Sequence, residues 1–82
     1  MPLPTSPTNG LHLRIEEWRP KDNGRPNMMA GDPETIEVAL HTIPRIGEQV
    51  QILDGQLLVH DVIHVPLEKD STVVAILVTT RV

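Results

Sequence analysis

The sequence lacks the residues on which most small domains rely for stability. Its 82 residues include no cysteine, phenylalanine or tyrosine, and Trp18 is the only aromatic side chain. The absence of cysteine excludes a disulfide framework and a thiolate metal site. A domain of this size buries only about 60% of the surface that its unfolded chain exposes, so the core has to be built from valine, isoleucine and leucine. Self-association is a common way for such a chain to bury further apolar surface.

Positive charge is also scarce. Seven lysines and arginines stand against eleven aspartates and glutamates, which gives a net charge of −4. Nucleic-acid-binding proteins usually carry a basic excess because phosphate neutralisation drives their affinity, so this balance disfavours a nucleic-acid partner. No apolar run approaches the ~20 residues of a membrane span, and the N-terminus lacks the features of a secretory signal. We therefore expect a soluble cytoplasmic protein without a membrane partner.

Five segments of the chain have the patterns of β-strands. Residues 11–18 and 34–42 alternate apolar and polar side chains, which predicts two half-buried strands paired as an antiparallel hairpin with a long loop. Residues 50–53 and 56–65 flank a turn signal, and residues 72–82 form a fifth apolar run. The predicted fold is all-β, a five-stranded antiparallel barrel or a strongly twisted sheet, with a single domain at 11–82.

Two local signals in the second half specify turns and bends. Asp54-Gly55 between apolar flanks is typical of a two-residue hairpin turn of type I′, in which both central residues have positive φ. In the strand that follows, Leu57, Val59 and Ile63 share one face, but Asp61 interrupts them. A bulge near His60-Asp61 would remove this conflict and would let the sheet curl.

The last strand is apolar on both faces. Val74, Ile76, Val78 and Val82 alternate with Val73, Ala75 and Leu77. Strands of this kind are normally covered on both sides, and a single-layer barrel covers only one. The second face therefore has to meet another subunit, a partner or the folded-back loop, and we predict a homo-oligomer whose interface includes Val73, Ala75 and Leu77.

Two segments are predicted to be irregular. Residues 1–10 contain three prolines and little apolar periodicity, which indicates a disordered arm, either a frayed terminus or a segment that orders on a partner. Residues 19–33 are interrupted by proline and glycine too often for a helix or a strand to persist. Loops of this length are often functional, and the alternative is a merely mobile loop.

The candidate binding residues lie in and beside this long loop. Its stem is locally basic, and a methionine pair at its tip could adapt to a partner surface. The tryptophan before it could anchor a partner or, in the simpler interpretation, cover the end of the core. The predicted partner-binding residues are Trp18, Arg19, Lys21, Arg25, Met28 and Met29.

Chemistry-bearing residues are few and poorly spaced. His60 and His64 flank Asp61, but residues four apart on a strand lie about 13 Å from each other, too far for one zinc ion. Surface histidines are the simpler interpretation. Ser6 and Ser71 lack the surroundings of a nucleophile, and the five glycines are too dispersed for a phosphate loop. We expect neither catalytic residues nor a metal or other cofactor, and so no enzyme.

Residues 44–65 resemble the small SH3-like β-barrels found in bacterial and phage-encoded proteins. The pattern comprises Pro44, Gly47, Val50, Asp54, Gly55, Leu57, Val59, Val62 and Val65. Head–tail connector and other accessory proteins of phages and mobile elements use similar units, although they often carry an aromatic residue where this chain has Leu57 and Leu58. The resemblance implies a fold and no catalytic residues.

Three functions follow as hypotheses. The first is a non-enzymatic protein-binding or assembly module, such as a phage or mobile-element accessory protein that is structural or inhibits a host protein. The second is a nucleic-acid-binding SH3- or OB-like barrel, which the net charge and the lack of stacking aromatics disfavour. The third is a small-ligand or metal-binding barrel that uses the histidines.

Overall fold

The structure is a computed structural model that describes residues 10–66 and 72–82. It contains β1 (Leu11–Trp18), β2 (Glu34–Leu40), β3 (Gln49–Ile52), β4 (Gly55–His64) and β5 (Ala75–Arg81). The five strands form one curled sheet, a half-barrel, in the order β2-β1-β5-β4-β3. The all-β prediction of five strands is confirmed. The predicted N-terminal arm, apart from Gly10, lies outside the described residues.

The sheet is mixed, so the prediction of a purely antiparallel sheet is wrong. β1 and β2 form the expected antiparallel hairpin, in which Leu13 lies opposite Val38, but β1 and β5 run parallel, with Leu13 opposite Ala75. The parallel pairing follows from the position of β5 between β4 and β1. β5 runs antiparallel to β4, and in this direction it is parallel to β1.

The two apolar faces of β5 reflect its central position in the sheet. Ala75 and Leu77 are fully buried and Val73 is 9% exposed, so these three side chains lie within the core of a single chain. On the other face Val78 is also buried. The residues predicted as an oligomer interface are therefore covered by their own subunit, and the prediction of a homo-oligomer has to rest on another surface.

The core lies in the concave face of the half-barrel. Side chains from β1, β3, β4 and β5 meet there, namely Leu13, Ile15, Val50, Leu57, Val59, Ala75 and Leu77. Thr79 is the fully buried polar residue of this face, and its hydroxyl donates to the backbone carbonyl of Glu16 at 2.9 Å. Among the described residues, every buried side-chain nitrogen and oxygen has a hydrogen-bond partner.

A β-bulge in β4 produces the change of face that the sequence indicates. The register with β5 shifts between Val59 and Asp61, so the predicted bulge near His60-Asp61 is confirmed. After the bulge, Val62 packs against the core, whereas Ile63 is 46% exposed. The extra residue reverses the alternation, and the expectation that Ile63 shares the inner face with Val59 is wrong.

The hairpin of β3 and β4 is confirmed, but its turn begins one residue earlier than predicted. Ile52 pairs with Gly55, which leaves Leu53 and Asp54 as the two loop residues. No residue other than glycine has a positive φ in the part of the chain that the structure describes, so this turn is not of type I′. A glycine with positive φ lies in the preceding turn, Arg45–Glu48, ahead of β3. This glycine is Gly47, with a φ of 90°.

Loop 19–33 is held together by its own backbone. Pro20 and Pro26 form an isolated antiparallel bridge, flanked by hydrogen bonds from the Lys21 amide to the Arg25 carbonyl and from the Asn27 amide to the Arg19 carbonyl, both at 2.7 Å. The two prolines form a non-hydrogen-bonded pair of the antiparallel ladder. Neither position therefore requires a backbone N–H donor, which proline lacks. The first part of the loop is thus a small hairpin. Across the described residues, no helix is long and apolar enough to cross a membrane.

Candidate functional site

The half-barrel is open along one side, where its two edge strands face each other across a groove. Within residues 10–66 and 72–82, β2 pairs only with β1 and β3 pairs only with β4. The groove between them has a volume of about 720 Å³. We call this groove the seam. Its walls are the β2 residues 36–40 and the β3 and turn residues 50–54, and Glu17, Glu34 and Arg81 complete its lining.

The walls of the seam are mostly apolar because both edge strands direct their core-facing side chains into it. Val38 and Leu40 from β2 and Ile52 from β3 pack against the core and are only partly buried. Ile36 is 42% exposed, and Leu53 at the hairpin turn is fully exposed. A concave apolar surface between unpaired strand edges is typical of a site that receives another polypeptide.

One end of the seam is charged and is organised by Arg81. The guanidinium donates to both carboxylate oxygens of Glu17, at 2.8 and 3.1 Å, and to the backbone carbonyl of Asp54 at 3.0 Å. The hydrogen bond to Glu17 is the main cause that raises the pKa of Arg81 above its ordinary value. Because arginine is protonated at neutral pH, the guanidinium stays charged. It joins β5 to β1 and to the turn between β3 and β4.

Carboxylates outnumber cations around this end. Glu17, Glu34, Glu37 and Asp54 line the seam, and Arg81 is its single cation among the described residues. Arg81 neutralises Glu17 and also lies 3.6 Å from the Asp54 carboxylate, and Glu37 lies 3.7 Å from Arg14 in an exposed pair. Glu34 forms no ion pair with any described residue. The seam therefore combines an apolar groove with a net negative end.

A second cleft, of about 500 Å³, lies on the opposite face of the sheet, beside the bulge of β4. Loop 19–33 contributes Lys21, Arg25 and Met28 to it. The sheet contributes Leu58, His60, Asp61 and Val78, and Ile46 comes from the turn ahead of β3. His60 is held in place by a 2.8 Å hydrogen bond between its Nε2 and the hydroxyl of Thr80.

The structure separates the predicted partner-binding residues into groups. Lys21, Arg25 and Met28 share the second cleft, whereas Trp18 and Arg19 line a smaller cleft of about 220 Å³ next to Arg81. Trp18 ends β1 half-buried and donates its Nε1–H to Glu16 at 3.2 Å. Met29 is 92% exposed. Whether these residues bind a partner stays a prediction.

The two histidines of β4 lie on opposite faces of the sheet. His64 lies opposite the core residue Ala75, whereas His60 bonds to Thr80 on the outer face. Within the described ranges, 10–66 and 72–82, no three histidine, aspartate or glutamate residues are grouped so that they could hold a metal ion.

Sequence reasoning did not identify the seam. Its walls come from β2 and β3, which are not neighbours in the sheet, and its existence depends on these strands remaining unpaired. Two signals for it were present in the sequence. β3 is short, and Leu53 is an apolar residue at a turn where polar residues are usual.

In comparisons with known proteins, no protein-family model, no curated protein and no solved structure matches this chain.

Proposed function

We propose that this protein is a non-enzymatic protein-binding module whose binding site is the seam. The observation that carries the proposal is the apolar groove between two edge strands, each of which has one free edge among the described strands. Free edges offer backbone donors and acceptors, and the groove offers pockets for apolar side chains. Together these are the elements of peptide recognition at a sheet edge.

The charge of the seam defines the chemistry of its partner. A segment that places apolar side chains against Ile36, Val38 and Ile52 brings its flanking residues close to Glu34 and Asp54. Lysine or arginine at those positions would be attracted, and acidic residues would be repelled. The proposed ligand is therefore a short polypeptide segment with exposed apolar residues next to basic ones.

Selection from a library of random peptides tests this proposal directly. We expect the immobilised protein to enrich peptides in which an apolar pair is flanked by lysine or arginine. The substitution Ile36→Arg, at a position 42% exposed, should weaken their binding at least about tenfold because it places a cation in the groove. Ile63→Arg is the matched control, since Ile63 has a similar exposure, 46%, and does not line the seam. Peptides that bind both variants equally, or no enrichment at all, would refute the proposal.

We further propose that the half-barrel is a relative of the SH3-like barrels and that an accessory role in a phage or mobile element, structural or inhibitory, suits such a module. The resemblance of residues 44–65 supports both statements, and the turn at Gly47, the β3–β4 hairpin and the bulge, which all fall within these residues, are consistent with it.

Nucleic-acid binding through loop 19–33 is the second candidate. It is favoured by Arg19, Lys21 and Arg25, which form no ion pair with any described residue, and it is opposed by the net charge of −4. Fluorescence anisotropy with labelled DNA and RNA at low salt tests it. Tight binding that falls steeply with salt would place this function first.

A further inference from the structure

We propose that the segment bound in the seam is loop 19–33 of a second copy of this chain, so that the protein assembles head to tail. This inference rests on the proposed function, because it identifies the polypeptide that the seam receives. It also places the predicted homo-oligomer on a surface that is exposed in the single chain.

The charges of the loop and the seam are complementary. Arg19, Lys21 and Arg25 are exposed, and in the part of the chain that the structure describes they have no carboxylate partner within 4.0 Å. Asp22 and Asp32 are the acidic residues of loop 19–33, so its three cations exceed its carboxylates by one. The seam presents the opposite balance. Arg81 is shared between Glu17 and Asp54, Glu37 is paired with Arg14, and Glu34 has no cationic partner among the described residues. The loop therefore has the basic character that the seam selects.

The apolar parts of the two surfaces also match. Met28 is 59% exposed and Met29 is 92% exposed, side by side at a turn of the loop. Ile36 and Leu53 are exposed at the rims of the seam. Methionine side chains are flexible and fill irregular apolar grooves well, and burial of such a pair removes from water the most exposed apolar side chains of the loop.

The position of the loop requires that this contact join two molecules. In the single chain Lys21, Arg25 and Met28 lie over the outer face of the sheet, beside the β4 bulge. The seam opens on the concave face, between the edge strands. The Lys21, Arg25 and Met28 side chains and the seam thus lie on different surfaces of each copy, whereas the two ends of the loop, Arg19 and residues 30–32, border the charged end of the seam. Such a contact is heterologous, and repetition of it produces a ring or an open chain of subunits.

Direct pairing of two edge strands is a poorer alternative for self-association. Two copies joined through β2 or β3 would bring the carboxylates of the two seams together, because Glu34, Glu37 and Asp54 all lie along these edges. Like charges that face each other across a strand pair are destabilising. The loop, in contrast, combines exposed apolar side chains with a positive stem.

Sedimentation velocity on the full chain, from micromolar to millimolar concentration, tests the inference. We expect the average mass of the wild type to rise with concentration and to fall when salt is added, since the cations and carboxylates are exposed to solvent. A loop variant, with Lys21→Gln, Arg25→Gln, Met28→Ser and Met29→Ser, should remain monomeric. Arg45→Gln, at an exposed cation outside the loop and the seam, should assemble like the wild type.

Mixing two defective variants gives the sharper result. The seam variant Ile36→Arg keeps its loop, and the loop variant keeps its seam, so each should be monomeric alone. Together they retain one working contact and should form a heterodimer that does not grow further. All five substituted positions are exposed, and circular dichroism of each variant verifies the fold.

The outcomes distinguish this inference from the proposed function. A wild type that stays monomeric to millimolar concentration, or a mixture that forms no heterodimer, overturns the second copy as the occupant. If such a protein still binds library peptides through the seam, the proposed function stands with a different partner. If it binds neither, both proposals fail. Assembly that is unchanged by both variants would also overturn the inference, because another surface would then join the subunits.

Discussion

The bulge in β4 leaves the Ile63 side chain outside the core. A comparison of Ile63→Ala with Leu77→Ala, at a buried position of β5, measures this effect of the bulge. Leu77 is fully buried on β5, opposite Val62, whereas Ile63, the next residue of β4, is 46% exposed. Truncation of a fully buried leucine to alanine costs about 3 kcal/mol, the sum of a transfer term and a cavity term. Ile63→Ala removes about three carbons from a half-exposed site, which at about 0.8 kcal/mol per buried carbon costs about 1 kcal/mol. Leu77→Ala should therefore be about three times as costly.

The expected loss is large compared with the stability of a chain of this size. At roughly 0.05–0.15 kcal/mol per residue the free energy of unfolding is about 4–12 kcal/mol, so Leu77→Ala removes a quarter or more of it. Urea unfolding followed by the fluorescence of Trp18, the only aromatic residue, measures both variants. Equal losses, or a greater loss for Ile63→Ala, would show that Ile63 faces the core and that the bulge is absent.

Three further predictions concern single contacts. Thr79→Val should lower the free energy of unfolding by about 1 kcal/mol because the hydrogen bond to the Glu16 carbonyl is lost; an unchanged urea midpoint would contradict this. Arg81→Gln should lower the melting temperature by the same amount at pH 6 and pH 8. The interaction that raises the pKa of Arg81 stabilises the fold at every pH below arginine's ordinary pKa, and this stabilisation is lost only in strongly alkaline solution. A decrease in melting temperature at only one of the two pH values would contradict this role of Arg81. Gly10→Val should destabilise the start of β1, since a Cβ at this position lies 2.8 Å from a backbone carbonyl of β2; a melting temperature equal to that of the wild type would refute this close approach.

Local structure was predictable because local patterns specify it. The alternation of Leu11–Trp18 identified β1 with its observed bounds, and the misplaced Asp61 identified the bulge. The turn beside Asp54 was placed one residue late because Asp54-Gly55 is also compatible with glycine as the first residue of β4. A dipeptide indicates a turn but does not fix its register.

The arrangement of the strands was not predictable from the same patterns. The two apolar faces of β5 were correctly recognised as faces that need cover, but a sequence does not say whether a second subunit or the same chain provides it. Here Ala75 and Leu77 are covered from within. The parallel pairing of β1 with β5, and hence the seam, depends on contacts between residues about sixty positions apart.

The central position of β5 also has a consequence for the order of folding. The β1–β2 and β3–β4 hairpins can each form from neighbouring residues, but among the described strands no pairing joins one hairpin directly to the other. β5 follows both hairpins in the chain, and its insertion between them closes a long loop at an entropic cost before most of the core is buried. Until that step, β1 and β4 are open edges that can pair with other chains. The insertion of β5 should therefore limit the folding rate, and the interval before it is when this protein is most exposed to aggregation.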